Sequence, residues 1–276
     1  MTMRRITRSA VLLVLSGFIA SGVHAADSDI KESTDALIRQ MEQINQRIGS
    51  NADALEEAGE RTRRLSEGED VEALPEIDAT LAPIPEVEAP SGSDPMRIMT
   101  ARLTNHVNRN IGISNRYQRD LEAIDITTLL SPSSYASTES IEAIPKRVAL
   151  ADRAYRRMVR DARESTRAFA AQMRSGDLPK DAIEGFNESF QDGRALEEQV
   201  AMEGRVLIHI ASIVAFLVEK RPEVQGEVFL FKTDDDVAAF NRLNATLADL
   251  ADEQVASIRD QQEKIKDASE KLRELN

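Results

Sequence analysis

The chain has 276 residues, 48 acidic against 35 basic, with no cysteine and no tryptophan. A formal net charge of −13 repels phosphate backbones and anionic lipid heads, which argues against nucleic-acid binding. Without cysteine there is no disulfide staple, so stability has to come from buried apolar surface, and the length is ample for one or two cores.

At the N-terminus, Arg4, Arg5 and Arg8 precede an apolar run from Ala10 to Ala20 and small residues ending in Val23-His24-Ala25. That order is the pattern of a secretory signal peptide, and the run is shorter than the roughly 20 residues a membrane-spanning helix needs. Cleavage is expected after Ala25, removing residues 1–25. No cysteine stands at the cut to carry a lipid. Losing the three arginines leaves 32 basic residues against 48 acids, a net charge of −16. The protein is therefore expected to be exported, to the periplasm first and to the exterior as the alternative.

Glycine totals 12, proline 9 and aromatics 4%, while Ala, Glu, Arg, Gln and Leu fill the long segments. These are helix formers, and strand formers cluster nowhere for long, so the fold class is all-α. Residues 26–67 hold the first amphipathic segment. From Ile30 to Leu65 the apolar residues Leu37, Met41, Ile44, Ile48, Leu55, Ala58 and Leu65 follow steps of four and three, with Thr34, Asn51 and Thr62 at the remaining seam positions. Such a seam predicts a coiled-coil-like face or an ordinary bundle helix, and Asn51 would set register in a coiled coil.

Residues 68–94 are expected to form an acidic, proline-rich linker. No basic residue lies between Arg64 and Arg97, and Pro75, Pro83, Pro85, Pro90 and Pro95 interrupt repeated Glu and Asp. That composition suits a flexible or polyproline-like chain. Leu81-Ala82-Pro83-Ile84-Pro85 within it has the form of a docking motif for a partner groove.

Residues 95–276 make up the main unit. Ser93-Asp94-Pro95 predicts a helix start, with a capping side chain ahead of proline. Met99, Leu103, Val107, Tyr117, Leu121 and Ile124 form its stripe, with a kink or break expected near Gly112 among poor helix formers. After a Ser-rich turn, Ile141, Ile144, Val148, Ala151, Tyr155, Met158, Ala162, Phe169 and Met173 mark a second long helix ending at Ser175-Gly176. Its outer face carries Arg153, Arg156, Arg157, Arg160, Arg163 and Arg167, a row suited to a polyanion or to the acidic linker, or a plain solvated face with Asp152, Asp161 and Glu164 interleaved.

Pro179 opens a third predicted helix through Ile183, Phe186, Phe190, Leu196 and Val200 into the apolar stretch Val206 to Val218. A stretch of that length predicts a helix buried all round rather than a membrane span. Val228-Phe229-Leu230-Phe231 is strand-like and is expected to be a buried connector. Thr233 followed by Asp234, Asp235 and Asp236 predicts the cap of a final helix through Phe240, Leu243, Leu247, Leu250, Val255, Ile258, Ile265 and Leu272.

The chemistry-bearing residues do not assemble into a motif. His24 belongs to the signal segment, His106 lacks a Glu three residues away, and His209 sits in the apolar stretch as a core histidine. Neither a His-Glu-x-x-His pattern nor a Gly-x-Ser-x-Gly elbow occurs, and a pair such as Glu184 and Glu188 has few aromatics to help bind a sugar. No catalytic, metal or cofactor residue is assigned, and no cofactor is expected.

The architecture expected is an elongated antiparallel helical bundle with a tethered N-terminal helix. The function expected is non-enzymatic, through helical protein–protein contacts in the cell envelope, with an envelope partner or self-association through the Ile30 to Leu65 seam. Two alternatives stand beside it: a membrane-active protein using residues 206–218, and a small-ligand-binding bundle.

Overall fold

A computed structural model describes residues 95–274 apart from 177, 190–193 and 227, together with spaced residues between Asp35 and Arg64. The expected signal segment, the linker and the seam residues Leu37, Ile44, Ile48, Leu55, Ala58 and Leu65 lie outside the described residues, as do Thr34, Asn51 and Thr62. The chain is mostly helical, with a single two-stranded sheet among the described residues.

Helix α1 spans Pro95–Ile124 and starts at the predicted proline. Met99, Leu103, Val107, Tyr117 and Leu121 are buried as their spacing requires. The break expected near Gly112 does not occur, for the helix is continuous. Its neighbours Ile111, Ile113 and Ser114 are all buried, so packing against the next helix overrides weak local propensity. Two 3-10 turns, Ile126–Thr128 and Pro132–Tyr135, reverse the chain. Arg147 secures that reversal: its Nε donates to the Ile124 carbonyl at 2.9 Å and its guanidinium also reaches the Asp125 carbonyl and Thr128 Oγ1. The last carbonyls of α1 thus gain the donors they lack within the helix.

Helix α2, Thr138–Met173, begins with the Ser140 amide donating to Ser137 Oγ at 3.1 Å. It continues past Pro145, which lacks the amide hydrogen that would bond the Ile141 carbonyl. The predicted stripe is inside, with Ile144 and Met173 fully buried and Phe169 2% exposed. Gly176 follows the helix without adopting a left-handed backbone.

The third predicted helix is seen as two segments, with residues 190–193 between them outside the described residues. Helix α3, Lys180–Ser189, starts after Pro179, and helix α4, Arg194–Lys220, carries the apolar stretch. Phe190 lies outside the described residues. Val206, Ile210, Ile213, Val214 and Leu217 are buried, but α4 is not buried all round: Ile208 is 71% exposed. Lys220 at its end pairs with Asp236 at 3.0 Å, joining it to the start of α5, Asp234–Glu274. There the Asp236 amide donates to Thr233 Oγ1 at 3.2 Å and Thr233 Oγ1 donates to the Asp236 carboxylate at 2.9 Å, the predicted cap.

Between α4 and α5 the strand-like run finds a partner that periodicity did not show. Strand β1, Glu223–Gln225, pairs antiparallel with β2, Val228–Leu230, so that Val224 faces Phe229 across a tight turn at Gly226. Gly226 has φ +60°, a conformation that favours glycine. Val228 and Leu230 are 56% and 40% exposed, so the run is a hairpin strand and not a buried connector.

The described residues between Asp35 and Arg64 are helical and meet α5 in antiparallel order. Glu42 pairs with Arg273, Asp53 and Glu56 with Arg259, and Arg63 with Asp252 at 2.6 Å. Ile38, Met41 and Ala52 are buried here. A Cβ at Gly59 would meet the Ala251 Cβ at 3.5 Å and Asp252 at 3.4 Å, ordinary contact distances that place this segment against α5.

Candidate functional site

Three places depart from the ordinary arrangement of apolar inside and polar outside. The first is interior. Leu196, Glu203, Ile210 and Leu217 recur every seventh residue along α4, and all are buried, so the carboxyl of Glu203 occupies a core position at 1% exposure. Gln254 of α5 likewise lies seven residues after Leu247 and is 2% exposed. Its Nε2 donates to Glu203 Oε2 at 3.2 Å. Burial pushes the Glu203 carboxyl up to about 8, against the opposing pull of that hydrogen bond, so the group is protonated at neutral pH.

Tyrosines from the other two long helices complete this cluster. Tyr117 of α1 is 2% exposed, and burial, with Glu203 next, raises its phenol well above the usual range. Tyr155 of α2 donates to the Val200 carbonyl at 2.8 Å. It can reach α4 because residue 204 is glycine: a Cβ there would lie 2.6 Å from the Tyr155 hydroxyl. Four helices therefore meet at one buried polar point. A raised carboxyl in a cleft is a mark of an acid catalyst, but Glu203 is closed off from solvent.

A second buried polar group joins α1 to α2. His106 is 4% exposed and stacks on Phe169, with centroids 4.3 Å apart and planes 9° apart. Its Nε2 accepts from Asn110 Nδ2 at 3.1 Å, which leaves the ring proton on Nδ1 to be donated to Ser165 Oγ at 3.1 Å. Burial, then Arg109, lowers its pKa to about 4, so the ring is neutral. His209 is half-buried, with its Nε2 2.7 Å from the Leu243 carbonyl, so its ring has a hydrogen-bond partner but is not enclosed in the core as expected. Among the described residues no group of His, Asp or Glu gathers as a metal site. Glu184 is exposed and pairs with Lys180.

The outside inverts that pattern at the hairpin. Phe229 and Phe231 pack with Phe216 of α4 and Phe240 of α5 at centroid distances of 5.1 to 6.4 Å, and Tyr135 meets Phe229 edge-on at 5.3 Å. All four phenylalanines are only half-buried. Val228, Leu230 and Val237, 40% exposed, lie beside them.

The third place is a groove of about 710 Å³ between α2 and α4. Leu129, Val148, Val159, Leu207 and Ile208 line it, and Arg156, Arg160, Arg163 and Arg167 of the predicted arginine row border it. Leaving Ile208 open forgoes on the order of 2 kcal/mol of burial. The row is largely paired: Arg156 with Asp152, Arg157 with Asp120, Arg160 with Asp161, and Arg163 with both oxygens of Glu197. These pairs are on the surface and each contributes about 0 to 1 kcal/mol.

No family model, curated protein or solved structure matches the chain. One described helix segment, Leu196–Lys220, is long and apolar enough to cross a membrane, with mean hydropathy 1.7. Its buried residues are core residues here, and inserting it would strip the core from α2 and α5.

Proposed function

We propose that this chain is an exported, non-enzymatic protein of the cell envelope that works by protein–protein contact as an assembly, adaptor or scaffold component. In this reading it is an elongated antiparallel bundle with a coiled-coil-like N-terminal helix on an acidic linker. The ordered ion pairs from Glu42–Arg273 to Arg63–Asp252 support that helix lying along α5. The periplasm is the compartment in which this reading places the protein.

The observation that carries it is the apolar end formed by the hairpin, the end of α4 and the start of α5. Val228, Leu230 and Val237 are open to solvent, and half-buried Phe216, Phe229, Phe231 and Phe240 stand behind them. Aromatic anchors with exposed aliphatic neighbours are the composition of an interface centre. A photoreactive residue at Val228 tests the reading in cells producing the full chain. The expected result is one or a few discrete protein adducts in the envelope fraction, absent when the probe stands at exposed Glu142. A smear equal at both positions, or no adduct, contradicts it.

A further inference from the structure

The groove between α2 and α4 shares no lining residue with the apolar residues of the hairpin end and combines two features. Its floor is aliphatic and includes Ile208, the most exposed large apolar side chain among the described residues, at 71%. Its border carries Arg156, Arg160, Arg163 and Arg167 in a chain of net −13, with Asp152, Asp161 and Glu197 as their present partners and Glu164 interleaved, so the border is rich in guanidinium groups rather than in net charge. The stretch of α2 that lines it, from Val148 to Arg167, is about 28 Å long.

The two features are also separated along that length. Leu129, Val148 and Ile210 lie toward one end, and Arg163 and Arg167 toward the other. From this polarity we infer that the groove binds an anionic single-chain amphiphile, with its hydrocarbon chain along Ile208 and its carboxylate or phosphate head at Arg160, Arg163 and Arg167. A volume of about 710 Å³ falls within the roughly 300 to 1,000 Å³ of small-molecule sites. The arginines can release their present partners because those pairs are exposed and screened, and an anionic head takes their place with bidentate hydrogen bonds. Tyr155, which lines the groove, is fixed by its hydroxyl donating to the Val200 carbonyl at 2.8 Å.

A fatty acid and a lysophospholipid share this chemistry, and titration calorimetry on the full chain with oleate, lysophosphatidylglycerol and dodecyltrimethylammonium separates them, each below its micelle concentration. One oleate or lysophosphatidylglycerol per chain is expected, with the cationic amphiphile at least tenfold weaker. The ratio of the two anionic affinities shows which head the arginines prefer. Ile208→Glu should weaken both anionic ligands at least tenfold, and because the side chain is already exposed, circular dichroism should be unchanged. Arg160→Glu with Arg167→Glu should lose the preference for anions while retaining the fold. Equal affinity for the cationic amphiphile, or no effect of Ile208→Glu, overturns the inference. So does cosedimentation with phosphatidylglycerol vesicles without binding of either monomeric ligand, which would make the groove a membrane-contact surface.

Discussion

The four-helix meeting point around Glu203 and the hairpin end around Phe229 are opposite departures from one rule. Inside, a carboxyl and an amide sit where the seven-residue repeats of α4 and α5 call for leucine, with the buried phenol of Tyr117 and the half-buried Tyr155 near them. Outside, two valines and a leucine sit where the surface calls for charge, over four half-buried phenylalanines. The first couples stability to protonation, and the second leaves apolar area unused by folding. A departure that is closed bears on stability, and one that is open bears on contact.

The largest effect expected is in the tightly packed interior. Phe169→Ala removes a ring that stacks on His106 and meets Phe186 edge-on, and should cost about 3 to 5 kcal/mol in urea unfolding. If the loss is below 1 kcal/mol, the α1 and α2 interface is looser than its burial implies.

Next is Glu203→Gln. The folded carboxyl sits at about 8 against an ordinary 4.5, so the native state holds a proton that the unfolded chain releases above pH 4.5. Its stability contribution is present below pH 4.5 and is lost as pH rises to about 8. The glutamine variant should match the parent at pH 4.5 and exceed it at pH 9 by a few kcal/mol. Equal stability at both pH values would mean that the carboxyl is solvated.

Gly204→Ala should cost about 1 to 3 kcal/mol, because the new methyl collides with the Tyr155 hydroxyl and breaks its bond to Val200. Tyr155→Phe in the same background should recover part of the loss. At the hairpin, Val228→Ser should change stability by less than about 0.5 kcal/mol, while removing the envelope adducts captured at Leu230.

Most of the helices were legible because their stripes are long. Met99 to Leu121 and Ile144 to Met173 show the period of a helix with one buried face, and Thr233 with Asp236 is a cap readable from four residues. The hairpin was hidden because its first strand, Glu223-Val224-Gln225, is too short and polar to announce itself. The interior cluster had a signal in the sequence: Glu203 and Gln254 stand in apolar registers, but an abundance of 48 acids masks any one of them. Of the groove only the arginine row was legible, since its apolar part joins α2 to an isoleucine 41 residues beyond Arg167 in the chain and exists only once the helices pack.

The most direct test of the account uses the absence of native cysteine. Val228→Cys and Glu142→Cys are introduced singly, and each is labelled with a maleimide in purified protein and in intact envelopes. Both should react in the purified chain, and only the Val228 variant should be protected in envelopes. Equal labelling of both variants in both settings would contradict an occupied hairpin end.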